Sequence, residues 1–357
     1  MEMFAIHAVE KLLERNIHTE LLCYPGSKIY ETAEKKGLKV HGIKATGYLH
    51  PFEAAKVAGI IKSGDFDLVH TQASKDLWVL IPAVKMVKKY IPVCMTKQVG
   101  SFIVKKDFLH RWIYNRLDYA FAISEVISKN LLDTCPLTPD KVKLLHNAVD
   151  TKRFDPEKAD RQKIREEFNL ADDKIVIGML ARFSWGKGHE EFVTAAGNLI
   201  KKYDNLKFMI VGEPSRGEDD YGQKIVDMVN SGGLENNVFF TGFRSDIPDV
   251  LSAMDIFAFP SHSEAFGIAL AEAMAMGKPT VVSNSDGVLD IVIDGETSLL
   301  FEVKSADDLT AKLDKLISSP ELMQKFSHNA RKRIVEHFDI ELLTDRVIDY
   351  YQVALNK

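Results

Sequence analysis

The sequence predicts an α/β protein made of two doubly wound domains, and three observations carry that prediction. At 357 residues and 46% hydrophobic content the chain can furnish two ordinary cores. Short β-branched runs alternate with amphipathic stretches from end to end, as they do where helices cover both faces of a parallel sheet. The alternation is interrupted once near the middle by "NAVDTKRFDPEKADRQ", whose Pro156 and dense charge read as a linker.

The chain opens on an amphipathic segment, "MFAIHAVEKLLER", with helical spacing. Strand candidates follow at "HTELLCY", "LKVHGIK", "FDLVHTQ", "PVCMTKQ", "YAFAIS" and "KVKLLHNA", separated by helical segments such as "PFEAAKVAGIIKSG" and "FLHRWIYNRL". After the linker the strands read "KIVIGMLARF", "LKFMIVGE", "NVFFTGF", "DIFAFPS", "PTVVSN" and "TSLLFEV", and a long helical tail starts at "SADDLTAKLDKLI". A doubly wound domain ordinarily starts with a central strand running into a glycine-rich turn. The first domain lacks this leading strand and its turn. Its loss would leave two unpaired edges inside a sheet, so the reading favours a start upstream, with Met1 internal and Glu2 a remnant of the missing motif. The domains are placed at residues 1–152 and 153–338, with a last helix over 339–357 that returns to the first domain.

The net charge of -5 is that of an ordinary soluble protein, but it is unevenly spread. Residues 1–160 hold 24 Lys and Arg against 19 Asp and Glu, so the acidic excess lies wholly in the second half. Three cysteines without a CxxC pair, Cys23, Cys94 and Cys135, suit a reducing cytoplasm. The longest apolar run, "DLWVLIPAVKMV", is cut by Lys85 short of a bilayer span, and the acidic, periodic start is unlike a secretory signal. The run "KMVKKYIPV…KQVGSFIVKKDFLHRWIYNR" interleaves cations with Trp112 and Tyr114. It reads either as a solvated helix face or as a contact for an anionic membrane or lipid-linked partner. No nucleic-acid motif accompanies it.

The stretch "SHSEAFGIALAEAMAMGKP", residues 261–279, sets Glu264 and Glu272 among Ala, Leu, Ile, Met and Phe. Because "FPSHSE" reads as a strand end and turn, Glu264 precedes the helix and Glu272 lies within it. The backbone N–H groups of Phe266, Gly267 and Ile268 then form an anion site suited to phosphate. Glu272 can accept hydrogen bonds from a ribose diol. The competing reading makes Ser261 and Glu264 a capping box, with Glu272 on a solvated face. In "GMLARFSWGKGHEEF", Arg182 and Lys187 follow a strand at its carboxyl end, where open α/β sheets bind ligands. Two cations there can hold a diphosphate, the Arg by a forked pair and the Lys as a point charge.

With these motifs in place, the second half resembles the retaining GT4 glycosyltransferases of GT-B fold. The likeness rests on the Glu264 and Glu272 pair, the Arg182 and Lys187 loop, "VGE" at 211–213, "FTGF" at 240–243 and "AMGKPTVVSN". It implies two Rossmann-like domains facing an interdomain cleft. Arg182 and Lys187 would grip the donor diphosphate, Glu272 the ribose and Glu264 the transferred sugar near its C3 hydroxyl, with the backbone at Phe243 beside the base. The family's paired glycine and Pro-Glu are replaced here by "SDGVLDIV", where Asp290 keeps a carboxylate. In the first domain His70, Gln72, Lys97 and Gln98 stand at strand ends. The resemblance gives His70 a contact with sugar or acceptor, while the residues alone equally allow a hydrogen-bonded core histidine. Ser124 reads as a helix cap.

The expected activity is retaining transfer of a hexose from a nucleotide diphosphate sugar, UDP ahead of GDP, to a saccharide or lipid-linked acceptor in cell-surface polysaccharide or lipopolysaccharide synthesis. No Asp-x-Asp metal site is evident, so neither metal nor cofactor is expected. The expected location is the cytoplasm or the inner membrane face. The rival readings are a sugar-nucleotide epimerase of similar architecture and a truncated, non-catalytic subunit that binds sugar nucleotides.

Overall fold

A computed structural model describes residues 2–45, 47–215 and 217–357; the side chains of Glu2, Met3 and Phe4 lie outside the described part, and with them the reading of Glu2. The chain divides into two compact units, residues 1–146 with 341–357, and residues 147–340. Sequence reading placed the borders at 152 and 338. The charged stretch read as a linker belongs with the second unit, where Val149 bridges Asp339 and its N–H donates to the Phe338 carbonyl (2.9 Å).

The first unit holds β1 (Leu21–Cys23), β2 (Val40–Gly42), β3 (Val69–Thr71), β4 (Val93–Lys97), β5 (Tyr119–Ala122) and β6 (Val142–Leu144). All pair in parallel, but in two separate sheets, β1-β2 and β3-β4-β5-β6. β4 and β5 are almost wholly buried, whereas β1 and β3 are half-exposed for want of a second neighbour. The final helix, Ile340–Leu355, lays Tyr350, Tyr351 and Ala354 against Cys94, Tyr119, Phe121 and Leu145. Lys11 from the first helix, Glu2–Glu14, and Arg15 just after it pair with Glu341 of that last one.

The second unit is a single six-stranded parallel sheet formed by β7 (Ile175–Leu180), β8 (Leu206–Val211), β9 (Val238–Phe240), β10 (Ile256–Phe259), β11 (Thr280–Ser283) and β12 (Ser298–Phe301). Their order is β12-β11-β10-β7-β8-β9. β7 pairs β8 over six residues, from Ile175 with Leu206 to Leu180 with Val211, and β10 flanks it on the other side. Both faces of the sheet are covered, which is why these strands read as unbroken apolar runs. Phe192, Phe208, Phe301 and Phe326 are fully buried in the resulting core. Between β7 and β10 the winding reverses, and the carboxyl ends of two strands so arranged flank a crevice. In the first unit no strand among the described residues joins the β1-β2 pair to the β3-β4-β5-β6 sheet.

Candidate functional site

The two loops that leave β7 and β10 carry the residues singled out in the second unit. After β7, Gly186 (φ +86°) and Gly188 (φ +79°) turn the chain into the helix His189–Leu199, with Gly188 as its N-cap. After β10, Gly267 (φ +108°) is the N-cap of the helix Ile268–Ala275. Neither cap offers a side chain to the first-turn amides, which an intrahelical ladder leaves without partners. Two positive helix ends therefore meet at the reversal point of the sheet. Ser261 is buried and lies well before Gly267, so the capping box considered for Ser261 and Glu264 does not form.

Several contacts lock the two loops together. A Cβ at Gly188 would lie 2.1 Å from the Pro260 carbonyl oxygen, so only glycine allows this approach. The His262 N–H donates to the Gly186 carbonyl (2.8 Å), and His262 Nε2 lies 2.8 Å from Glu191 Oε1. Lys187 Nζ donates to Glu264 Oε1 at 2.5 Å, both side chains being about four-fifths covered. The pair is what an anion would remodel, since a diphosphate arriving at the helix end competes with Glu264 for the ammonium.

Arg182 is exposed at the rim and donates to Ser215 Oγ (3.1 Å). Phe243 follows Gly242 (φ +68°) beyond β9 and is 67% exposed. Phe266 is buried against Phe338, with ring centroids 5.9 Å apart. In the loop after β11, Asp286 takes a left-handed φ of +48° and accepts from Ser263. Gly287 donates to the Glu264 carbonyl (3.0 Å). Asp290 sits at the end of the short 3-10 turn, and its carbonyl accepts from Arg333 (2.9 Å).

Glu272 lies on the helix Ile268–Ala275 between Ala271 and Ala273, both buried. Desolvation pushes its pKa up to about 7, opposed by the nearby Arg153 cation. A folded-state value above that of the unfolded chain costs stability as pH rises from about 4.5 towards 7, because the native state must then surrender a proton it holds more tightly. Hydroxyl donors from a ribose would stabilise the carboxylate and reverse the shift. Nucleotide binding near pH 6.5 is thus expected to release more protons from the wild type than from Glu272→Gln, which calorimetry in buffers of different ionisation enthalpy would detect. Glu272→Ala should raise the donor KM more than it lowers kcat. Equal proton release in both proteins and an unchanged KM would return Glu272 to a packing role.

His70 lies in the first unit. Its Nε2 meets Thr96 Oγ1 at 2.8 Å and its Nδ1 the Tyr351 hydroxyl at 2.5 Å, while the ring stands edge-on to Phe121. Burial pulls its pKa down to about 4, leaving a neutral imidazole with both nitrogens engaged inside the unit. This is the geometry of the core alternative, and Tyr351, 281 positions away, is its partner. Gln98 donates to Gln72 (3.0 Å), and Ser124 accepts from the Ile127 N–H as a helix cap. Sequence reading placed Gly188 with Lys187 in the turn before the helix but passed over His262, Glu191 and Ser215.

Among the described residues no group of three or more His, Cys, Asp or Glu side chains could hold a metal ion, and no helix is long and apolar enough to cross a membrane.

Comparison with known proteins decides the family. The family described as "Glycosyl transferases group 1" matches residues 160–333, and "Glycosyltransferase Family 4" matches residues 1–153. The chain is a group 1 glycosyltransferase. This glycosyltransferase is 27% identical over 322 residues to the Campylobacter jejuni N,N'-diacetylbacillosaminyl-diphospho-undecaprenol α-1,3-N-acetylgalactosaminyltransferase, covering 85% of this chain and 82% of that relative. It is also 27% identical to the Staphylococcus aureus capsular polysaccharide glycosyltransferase CapM, where the match spans 66% of this chain and 62% of the relative. A Rickettsia africae glycosyltransferase superposes with a TM-score of 0.89 at 23% identity, covering 99% of this chain and 94% of the other. Anabaena HepE, solved with UDP and glucose, gives a TM-score of 0.81 at 21% identity, with 98% and 95% covered. At such identities these structures speak for the GT-B fold.

Proposed function

We propose that this glycosyltransferase moves a hexose from a nucleotide diphosphate sugar, UDP ahead of GDP, to the hydroxyl of a saccharide or lipid-linked acceptor, with retention at the anomeric carbon. The observation that carries the proposal is the meeting of Lys187, Glu264 and the Gly267 helix end at the reversal point of the second sheet. Lys187 would leave Glu264 for the diphosphate, and Arg182 would swing from Ser215 to the same group. With the amides at Phe266, Gly267 and Ile268 they would hold the charge that grows as the glycosidic bond breaks. Glu264, freed of its cation, would accept a hydrogen bond from the transferred sugar. Glu272 would hold the ribose, and the backbone at Phe243 would lie beside the base. No step in this reading calls on a metal or a cofactor. Departing phosphate oxygen can take the acceptor proton, so no separate general base is required.

The Campylobacter relative is named for an undecaprenol-linked acceptor and the Staphylococcus one for capsule synthesis. They support an acceptor of cell-surface polysaccharide or lipopolysaccharide assembly, and with it a cytoplasmic chain resting on the inner membrane face through its first unit. A thermal-shift series with nucleotides and nucleotide sugars tests the donor, since a ligand of the native state raises Tm by mass action. A shift with UDP or UDP-sugars is expected. No shift with any nucleotide would sink the donor assignment. Release of UDP only when acceptor is supplied separates transfer from epimerisation.

A further inference from the structure

We infer that residues 47–52 and 99–112 of the first unit form a docking face for an anionic lipid bilayer. Phe102 is fully exposed, and Leu49, Phe52 and Phe108 are each 80% exposed or more; Tyr48, Ile103, Val104 and Leu109 are exposed as well. The two segments are far apart in sequence and joined in space. Tyr48 stands edge-on to Trp78 (5.0 Å between centroids), and Trp78 edge-on to His110 (5.4 Å). Soluble surfaces scatter apolar side chains singly and seldom gather so many large ones.

These tips project from a pinned base. Asn130 holds Ser101 through both its N–H and its carbonyl, each at 2.9 Å, and the Lys105 N–H donates to the Thr134 carbonyl (2.6 Å). Asp107 then caps the helix Phe108–Tyr114. Collapse onto the core would bury the tips, and these bonds prevent it.

Charge selects the occupant. Lys85, Lys105, Lys106 and Arg111 fringe the patch, with Lys85 Nζ 3.9 Å from the Trp112 ring centroid. The acids nearby are spoken for: Asp107 by His110 and its own helix amides, Asp76 by Thr71 (2.6 Å), and Glu53 by His50 (3.6 Å). In a two-fold dimer built on this face the cations would confront their own copies. A bilayer with acidic headgroups meets the lysines while its acyl region takes the tips. Residues 99–112 follow β4 at its carboxyl end, the edge that carries Gln72 and Gln98, and the Tyr48 contact with Trp78 sets residues 47–52 beside them. A lipid-linked acceptor, which rests on the function proposed above, would be met on the edge that faces its membrane.

The test is co-sedimentation of the full chain with vesicles of phosphatidylcholine alone or mixed with phosphatidylglycerol, with no donor present. Binding is expected on the acidic vesicles and should weaken with added salt. The pairs Phe102→Ser with Ile103→Ser, Leu49→Ser with Phe52→Ser, and Lys105→Glu with Lys106→Glu should each reduce it by about ten-fold or more. Melting temperature and the nucleotide thermal shift serve as folding controls and should stay at wild-type values. Wild type that ignores acidic vesicles, or serine variants that bind them as well as wild type does, would overturn the inference. So would a wild-type dimer that the serine pairs convert to monomer, which would assign the face to a second copy. Vesicle binding without any nucleotide shift would leave the docking face standing and remove the donor assignment proposed above.

Discussion

Lys187→Ala is expected to lower kcat by about a thousand-fold, the scale of loss when one preorganised charge partner of a departing group is removed. The reason is positional. The ammonium sits 2.5 Å from Glu264 at a helix end that already favours negative charge, so a diphosphate there gains a full cation without moving the backbone. Folding should be nearly untouched, because partly exposed ion pairs contribute at most about 1 kcal/mol. The measurement is steady-state turnover beside a melting curve. A loss confined to KM would mean that Lys187 binds donor and transition state alike. Near-normal kcat would remove Lys187 from the reaction and take the leaving-group argument with it. Lys187→Arg should recover part of the rate, since charge is kept while the point contact is lost.

Gly188→Ala should destabilise the second unit by about 3 to 4 kcal/mol and lower its Tm by roughly 10 °C. Two costs combine. A residue with a Cβ is strained at φ +79°, and that Cβ would lie 2.1 Å from the Pro260 oxygen and 2.6 Å from its carbonyl carbon. Gly217→Ala is the proper control, because its φ of +85° imposes the same backbone strain with nothing within 4 Å. The control should lose about 1 to 2 kcal/mol, and the difference isolates the collision between loops. Equal melting of the two variants would show that the loop after β7 can yield, and that the Lys187 to Glu264 geometry is not held by this contact.

Every strand of the structure falls inside a segment that local pattern marks out, because β-branched runs and turn residues act over the few positions that make one strand. The pattern overstates length in the first unit, where β1, β2 and β3 hold three residues each. Site assembly was less legible. Lys187 and Glu264 are 77 positions apart, and their contact depends on the parallel pairing of β7 with β10, which neither segment encodes by itself. The Gly188 approach to Pro260 and the bond between His262 and Glu191 follow from the same pairing. The capping-box alternative was open on spacing alone and closed once Gly267 took a left-handed φ as N-cap. His70 shows the opposite limit: read as a strand-end residue, it stands in the middle of β3, and its partners come from a neighbouring strand and from the last helix. Asp286 takes a left-handed φ of +48°, which Asp tolerates better than most residues.

The membership of residues 341–357 in the first unit has a consequence for biogenesis. Residues 147–340 form an uninterrupted stretch and can fold as soon as they emerge from the ribosome. The unit that begins earlier must wait for Tyr350, Tyr351 and Ala354 to cover Phe121 and Leu145, so the portion translated first is the last to be finished. Until then its half-built core is what a chaperone would find.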